Sequence, residues 1–304
     1  MIDKLSASWR YFAHYRLKNF FIARLVMREN EERNLFKRLG FNIRLYLKVF
    51  RNDVIPSFDL SVGTICTLKC KDCSQWCPYL NDKRWFDINT LKSNMEEMVN
   101  KLDYIFSVAV IGGEPLAYPN IVEIVDFLIG NNKIGNVILV TNGTLYPSDE
   151  LIKRLKSPKV TLWVSEYVTL PMTDNRTKLY NLLEDKSIKS RIMHNMTWAD
   201  VGRPSGIREN YTERQLNNSF KTCWLNNCST LMDGIFYRCP RSYGIDNIYG
   251  DDSYSRPETI DFKDIKNKRE LKNAIYKFYS LKYVEACKYC NIVRKDIPAA
   301  EQLD

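Results

Sequence analysis

Long apolar runs are missing from this sequence of 304 residues. No stretch reaches the roughly 18 to 20 uncharged apolar residues that a membrane-spanning helix needs, and the most apolar early segment, residues 20–27, is interrupted by Arg24. The start of the chain also lacks the apolar block and the small-residue cleavage site of a secretion signal. These absences predict a cytoplasmic protein without a membrane span.

Glycine and proline are also scarce, with 12 and 11 residues, which excludes a collagen-like or low-complexity chain. Apolar residues make up 45% and aromatic residues 12% of the sequence, too much for an intrinsically disordered chain. This length allows one large domain or two modest ones. The sequence therefore predicts a folded protein with a sizeable core.

Acidic residues are few at the start of the chain. Residues 1–53 contain twelve Lys or Arg and five Asp or Glu, so they hold +7 of the formal charge of +9. Aromatic and aliphatic residues lie between these charges at spacings that suit amphipathic helices. We expect two or three helices here, either as a cap packed on the core or as a docking surface for an anionic membrane, a phosphate-bearing substrate or an acidic partner.

From residue 56 onward, short apolar segments alternate with helical ones in units of roughly 25 to 30 residues, which is typical of βα units around a parallel sheet. The predicted strands are 58–62, 105–111, 136–140, 160–164 and 190–193, and the helices between them are 89–102, 120–129, 148–155 and 176–183. The rhythm ends near residue 197. The predicted domains are a basic helical extension (1–55), a βα domain (56–210) and a cysteine-rich domain (211–304).

Nine cysteines are an odd number, which argues against a full set of disulfides, and they are clustered along the chain. Clustered thiolates in a reducing compartment indicate a metal, and soft sulfur ligands favour zinc or iron–sulfur. Cys66, Cys70 and Cys73 follow the first predicted strand with C-x3-C-x2-C spacing. Three thiolates on one loop hold three corners of a cubane cluster and leave the fourth iron open.

This triad resembles the signature of the radical S-adenosylmethionine (radical SAM) superfamily. Gly112-Gly113-Glu114-Pro115 after the second strand resembles the glycine-rich segment that meets the amino group of SAM, and Thr141-Asn142-Gly143 follows the third strand. The carboxyl ends of strands are where βα barrels place their chemistry. The resemblance covers roughly residues 58–195 and implies an α/β fold with a partial (β/α)6 barrel.

The resemblance also implies cofactors and their ligands. Cys66, Cys70 and Cys73 would hold a 4Fe-4S cluster whose open iron binds SAM, and reductive cleavage of SAM would give a 5′-deoxyadenosyl radical. Ser165 and Glu166 match the region that contacts the ribose or carboxylate of SAM. One departure is Asp72, where the family often has an apolar or aromatic residue against adenine; Trp76 or Tyr79 would take that place or serve in the core.

The later cysteines resemble the shorter, twitch type of auxiliary-cluster domain. Cys223, Gly234 and Cys239 fit the opening of that motif, with residues 236–238 on a hairpin strand. The resemblance implies a second 4Fe-4S cluster, and a zinc site on the same sulfurs is the alternative. Cys228 is an alternative ligand to the first of the expected four, which are Cys223, Cys239, Cys287 and Cys290.

Cys77 and one of the later cysteines remain spare. A spare cysteine is either a small buried apolar residue or, by resemblance to sugar and peptide epimerases, a hydrogen-atom donor to a substrate radical. Cys228 and Cys77 are the donor candidates. If neither donates, the auxiliary cluster would accept an electron and an alcohol would become a ketone. His194, after the fifth strand, is either a base for a substrate hydroxyl or a structural residue.

The resemblance to small twitch enzymes favours a carbohydrate, cyclitol or nucleotide-linked sugar as substrate, with epimerisation ahead of alcohol oxidation. Expected partners are this small molecule, phosphorylated in one version, and a one-electron reductant such as flavodoxin or ferredoxin, but not nucleic acid. Rivals are a peptide-modifying radical SAM enzyme and a zinc-stabilised binding module. Four arginines are candidates to hold phosphate or carboxylate groups of a substrate: Arg191, Arg203, Arg238 and Arg241.

Overall fold

A computed structural model describes residues 2–18, 20–21, 39–40, 43, 47–48, 53–205, 211–250 and 256–303. Most of the helical extension predicted between residues 19 and 52 therefore lies outside the described residues. In the part that is described, no helix is long and apolar enough to cross a membrane.

Parallel strands form the centre of the fold, as the alternation of apolar segments predicts. Strand β1 is followed in the sheet by β2, β3, β4 and β5, each parallel to its neighbour. This confirms the α/β class and the parallel sheet of a partial barrel. The strands are β1 (Val54–Ser61), β2 (Tyr104–Ile111), β3 (Ile134–Thr141), β4 (Val160–Tyr167), β5 (Ser190–Asn195), β6 (Thr197–Ala199), β7 (Thr230–Met232), β8 (Ile235–Tyr237), β9 (Thr259–Asp261) and β10 (Asp296–Pro298).

Helices cover the sheet, and side-chain caps fix where several of them begin. The Asp87, Ser148 and Thr173 side chains each accept a hydrogen bond from a backbone N–H in the first turn of the following helix. The helices are α1 (Ile2–Tyr11), α2 (Ile88–Lys101), α3 (Ile121–Gly130), α4 (Asp149–Leu155), α5 (Asp174–Leu183), α6 (Glu213–Thr222), α7 (Arg241–Tyr249) and α8 (Lys268–Tyr279).

The cysteine-rich part of the chain extends the same sheet. Strand β7 pairs with β1 in parallel, on the side opposite β2, and β8 and β9 continue the sheet antiparallel. Phe236 on β8 packs against Phe58 on β1 and stacks on Phe278 of α8, with ring centroids 5.6 and 4.9 Å apart. One hydrophobic core therefore runs beneath the βα units and the hairpin.

Helix α1 and the π-helical turn Phe12–Leu17 pack on α8. Tyr11 and Tyr15 lie against Tyr276 and Tyr279, with ring centroids 5.0 Å apart in each pair. The Tyr15 hydroxyl donates to the carbonyl of Val54 at the start of β1. For residues 2–18 these contacts favour the first of the two expectations, a cap packed on the core.

Candidate cofactor site

The loop after β1 carries the three-cysteine motif at the carboxyl edge of the sheet, and nitrogen donors already point at its sulfurs. Cys66 Sγ accepts from the backbone N–H of Leu68 at 3.4 Å and from Asn142 Nδ2 at 3.6 Å. Cys70 Sγ accepts from Gln302 Nε2 at 3.4 Å. Such donors stabilise sulfur that carries negative charge, as a metal-bound thiolate does. Burial raises the pKa of Cys66 to about 12 and that of Cys70 to about 11, so a cation is needed to hold both as thiolates.

The turn after β2 lies directly against this loop. Gly112 and Gly113 have φ of 101° and 54°, in the region that favours glycine. A Cβ added to Gly113 would lie 1.7 Å from the carbonyl oxygen of Ile65, just before the first cysteine. The backbone N–H of Glu114 donates to that same carbonyl at 3.0 Å. The two glycines thus leave room for the loop and keep main-chain groups accessible beside it.

Glu114 is fully buried, and its carboxylate bonds within the protein. One oxygen accepts from the Thr141 hydroxyl at 2.7 Å and from the backbone N–H of Leu116 at 3.0 Å. The other accepts from the backbone N–H of Asn142 at 2.7 Å. Burial raises the pKa of Glu114 to about 7. This carboxylate therefore ties the turn after β2 to the turn after β3, which positions Asn142 toward Cys66.

Ser165 and Glu166 are placed on opposite faces of β4. Ser165 lines the cleft described below, together with Tyr167. The Glu166 carboxylate instead forms an ion pair with His194 Nδ1 and accepts from the Tyr180 hydroxyl at 2.9 Å. These hydrogen bonds lower the pKa of Glu166. Because strand neighbours alternate between faces, Glu166 does not line the cleft beside Ser165, and His194 is held as its partner.

Trp76 is completely buried, which excludes the expected stacking of this ring on adenine. Its indole N–H donates to the carbonyl of Gly202 at 3.1 Å, and the Arg241 guanidinium lies 4.6 Å from the ring centroid. Asp72 forms a bidentate pair with Arg203, at 2.7 and 3.0 Å. Trp76 is therefore a core residue, and Arg203 has a carboxylate partner in the protein.

A cleft of about 180 Å³ opens at the carboxyl edge of the sheet. It brings together residues from four predicted loops and strands, and it adds others that the motifs did not indicate, among them Asp59 and Tyr167. Its lining includes Asp59, Gln75, Gly112, Gly113, Thr141, Asn142, Ser165, Tyr167, Trp224 and Cys228. The only sequence signal for Asp59 is a charged residue inside an otherwise apolar strand.

The two spare cysteines occupy different environments. Cys228 lines the cleft, near Asp59 and Lys18, and burial raises its pKa to about 12. Cys77 is buried and shares a hydrogen bond with Cys73, which lowers the pKa of Cys73 and raises that of Cys77. The protonated thiol of Cys228 therefore faces the cleft, whereas Cys77 supports the cluster loop.

Four later sulfurs lie near one another beside α7. Burial raises the pKa of Cys239 well above its usual range, and neighbouring Cys290, Cys223 and Cys287 add to that effect. Arg241 Nη1 donates to Cys290 Sγ at 3.5 Å. Cys223 thus belongs with the later set, while Cys228 faces the cleft. Arg238 and Arg241 are both buried, with guanidinium groups bonded to carbonyls of the protein.

Among the described residues, no three Cys, His, Asp or Glu side chains converge on a point that would hold one metal ion. A cubane cluster requires a different arrangement, because each thiolate binds a different iron. A tetrahedral zinc cage would need sulfurs within about 2.3 Å of one ion. The triad on a single loop, the N–H donors at its sulfurs and the open glycine turn fit a 4Fe-4S cluster with SAM beside it.

A parallel βα sheet with three cysteines on the loop after its first strand provides thiolate ligands that fit an iron–sulfur cluster at the carboxyl edge of the sheet. Residues 60–165 match the model of the radical SAM superfamily. The cofactors of that superfamily are SAM and a 4Fe-4S cluster. No curated protein matches the chain.

Several solved structures resemble the fold at low identity. Streptococcus suis SuiB bound to precursor peptide SuiA has 17% identity and a TM-score of 0.38, covering 54% of this chain and 38% of its own. The chain thus spans about two fifths of SuiB. BtrN in complex with AdoMet and 2-DOIA has 14% identity and a TM-score of 0.48, covering 78% and 93%. Native anSMEcpe with bound AdoMet has 15% identity and a TM-score of 0.48, covering 73% and 82%.

Proposed function

We propose that this radical SAM enzyme inverts a carbon centre of a carbohydrate, cyclitol or nucleotide-linked sugar, with Cys228 as the hydrogen-atom donor. The observation that carries the proposal is the position of Cys228. Its thiol lines the same cleft as Gly112, Gly113 and Asn142, the residues proposed to border SAM. A donor must reach the substrate from within the pocket that receives it.

Cys66, Cys70 and Cys73 would hold the 4Fe-4S cluster, and the turn at Gly112 and Gly113 would border SAM; together these cofactors would supply the radical that removes a hydrogen atom from the substrate. Cys228 then breaks its S–H bond homolytically and gives the hydrogen atom to the opposite face of the substrate carbon. A C–H bond forms and a thiyl radical remains. One electron from an iron–sulfur or flavin reductant and one proton from solvent then convert the thiyl radical back to the thiol.

The polar lining of the cleft supports a hydroxyl-rich substrate. The Asp59 carboxylate lies at the cleft and accepts no hydrogen bond from any described residue, while the Lys18 ammonium lies near it. Ser165 and Gln75 add further polar groups. A carboxylate with open lone pairs suits a sugar hydroxyl or an amino group.

The experiment uses anaerobically reconstituted, chemically reduced protein with SAM in deuterated water. A panel of nucleotide-linked sugars, sugar phosphates and aminocyclitols supplies the substrates. A thiol exchanges with solvent, so an epimer with one deuterium is expected. Cys228→Ser keeps the size and polarity of the side chain but has a much stronger X–H bond, so inversion should stop while SAM cleavage continues.

Cys77→Ala tests the other donor candidate. We expect it to retain inversion in proportion to its remaining cluster content; unchanged epimer yield in both variants would remove the donor assignment. A product two mass units lighter without deuterium would favour the second candidate function, alcohol oxidation. The adjacent set Cys223, Cys239, Cys287 and Cys290 supports that alternative as a place for an electron-accepting auxiliary cluster. Zinc without iron would favour the binding module.

A further inference from the structure

A short segment far along the chain covers the cluster-binding loop. Residues 299–303, here the strap, run antiparallel to residues 69–71. The backbone N–H of Lys71 donates to the carbonyl of Glu301, and that of Leu303 donates to the carbonyl of Lys69, both at 2.8 Å. The Lys71 ammonium also pairs with the Glu301 carboxylate at 2.7 Å. These contacts fix the strap on both sides of Cys70.

The other end of the strap is anchored on the barrel. The Thr169 hydroxyl donates to the carbonyl of Ala299 at 2.7 Å, and the backbone N–H of Ala299 donates to the carbonyl of Met196 at 3.2 Å. Ala299 and Ala300 are completely buried, and Ala300 has a φ of 58°. The strap is therefore a defined structural element held at both ends.

The side chain of Gln302 has only one orientation that satisfies its neighbours. Its Oε1 accepts from the backbone N–H of Lys69 at 2.7 Å, which only an oxygen can do. The amide nitrogen is therefore the atom that faces Cys70 Sγ at 3.4 Å, and it also donates to the carbonyl of Ala300 at 2.6 Å. An N–H donor is thus aimed at this sulfur.

We propose that Gln302 raises the reduction potential of the SAM-binding cluster by donating a hydrogen bond to the Cys70 sulfur. Reduction adds one electron to the cluster and increases the negative charge on its sulfurs. A donor N–H stabilises the more negative state more strongly, so it favours reduction. Gln302 is a positioning residue that acts through Cys70. The proposal rests on Cys70 being a cluster ligand and not on the reaction at Cys228.

The test is a redox titration of the reconstituted protein, monitored by the EPR signal of the reduced SAM-binding cluster. The signal of this cluster is the one that changes when SAM is added. In Gln302→Ala we expect the ratio of reduced to oxidised cluster at a fixed potential to fall about tenfold, which for one electron corresponds to about 59 mV. Gln302→Glu keeps an oxygen for Lys69 but removes the donor, so its potential should fall at least as far.

Glu301→Gln is the matched control, because it removes the exposed pair with Lys71 and leaves the amide of Gln302 in place. Losing a negative charge cannot lower the potential, so no negative shift is expected. Unchanged potentials in both Gln302 variants, with wild-type iron content, would overturn the proposal.

A second measurement needs no cluster. In apo protein, hydrogen exchange at the backbone amides of Lys69 and Lys71 should be faster in Gln302→Ala than in the wild type, because the strap protects both. Equal exchange rates at these amides in the two proteins would show that Gln302 does not hold the strap on the cluster-binding loop. The wild type could assemble no iron–sulfur chromophore while Gln302→Ala still exchanges faster than the wild type. That outcome would reject the proposed function and the potential shift, but it would support the strap.

Discussion

Asp59 shows how a single residue in a strand changes the chemistry of the cleft. Burial raises the pKa of its carboxyl from 3.8 to about 7, and the nearby Lys18 ammonium opposes that rise. In the unfolded chain the same carboxyl ionises at its ordinary pKa. The stability that Asp59 contributes is therefore complete below about pH 4 and is lost as the pH rises through 7.

Asp59→Asn should make the apo protein more stable, and the gain should grow with pH. Asparagine carries no charge, so the variant avoids the cost of a buried carboxylate. We expect its melting temperature to exceed that of the wild type by more at pH 7.5 than at pH 4.5, with a difference on the order of 1 kcal/mol or more in unfolding free energy. The upper pH is kept at 7.5 because burial lowers the pKa of Lys18 to about 8.

Asp87→Asn is the control for that comparison, since asparagine also caps helices well. Hydrogen bonds from Thr90 lower the pKa of Asp87, so its stability contribution is present above its ordinary pKa and is lost as the pH falls. Its gain should not grow toward pH 7.5. Equal gains for Asp59→Asn at both pH values would contradict the assignment of a costly carboxylate.

Single residues were predictable from the sequence where a motif marks them. The triad and the two glycines follow strand ends, so their position at one edge of the sheet follows from the βα pattern. The expected contact of Glu166 with SAM stays a prediction, and Glu166 lies apart from Ser165 because two successive strand residues face opposite sides. Gln302 carries no local signal, because it reaches Cys70 across 232 residues of sequence.

At the scale of elements, the turn after β2 and the loop after β1 form one unit. Gly113 lies so close to Ile65 that a Cβ on residue 113 would overlap the Ile65 carbonyl. The hydrogen bond from the backbone N–H of Glu114 to the carbonyl of Ile65 then fixes the position of the cysteine loop relative to the sheet. The conformation of the cysteine loop therefore depends on residue 113 being a glycine, which has no side chain.

Gly113→Ala should lower both stability and cluster content. Alanine would need a φ of 54° and would overlap the carbonyl of Ile65, so the loop must move; we expect a loss of at least about 2 kcal/mol and less iron per chain after reconstitution. Chemical denaturation and iron analysis measure these effects. Gly130→Ala is the control: it lies in α3 with no atom within 4 Å of the added Cβ, so its stability should stay equal or rise by up to about 1 kcal/mol. Equal stability of both variants would contradict the close approach.

Most element bounds followed from apolar periodicity and caps. The helix predicted over residues 148–155 is α4, with Ser148 as its cap. Strand β7 was not predicted, because three residues are too few to show an alternating pattern. Its partner β1 also lies far away in the sequence, so no local signal indicates the pairing. The π-helical turn at Phe12–Leu17 likewise lacks a sequence pattern that separates it from an α-helix.

Across the whole molecule, Arg241 connects parts of the chain that are far apart in sequence. Its guanidinium is completely buried and donates to the carbonyls of Ser74, Val201 and Gly202 at 3.2, 2.9 and 2.8 Å. It also contacts Cys290 Sγ. One cation thus joins the cluster loop, the segment after β6 and the later cysteines. Since the sheet also continues from β1 into β7, the two cysteine regions are connected both by this guanidinium and by a shared sheet.

Arg241→Met should therefore destabilise the whole protein. Methionine fills similar space but removes the donor to the Ser74 carbonyl and one of two donors to each of the Val201 and Gly202 carbonyls, which also accept from the Asn291 N–H and the Trp76 indole. Because an unsatisfied buried group costs about 1 to 3 kcal/mol, we expect a loss of about 2 kcal/mol in denaturant unfolding followed by circular dichroism. Arg154→Met removes a partly exposed bidentate pair with Asp126, at 2.9 and 2.8 Å, and should cost at most about 1 kcal/mol. Similar losses in the two variants would show that Arg241 does not hold these regions together.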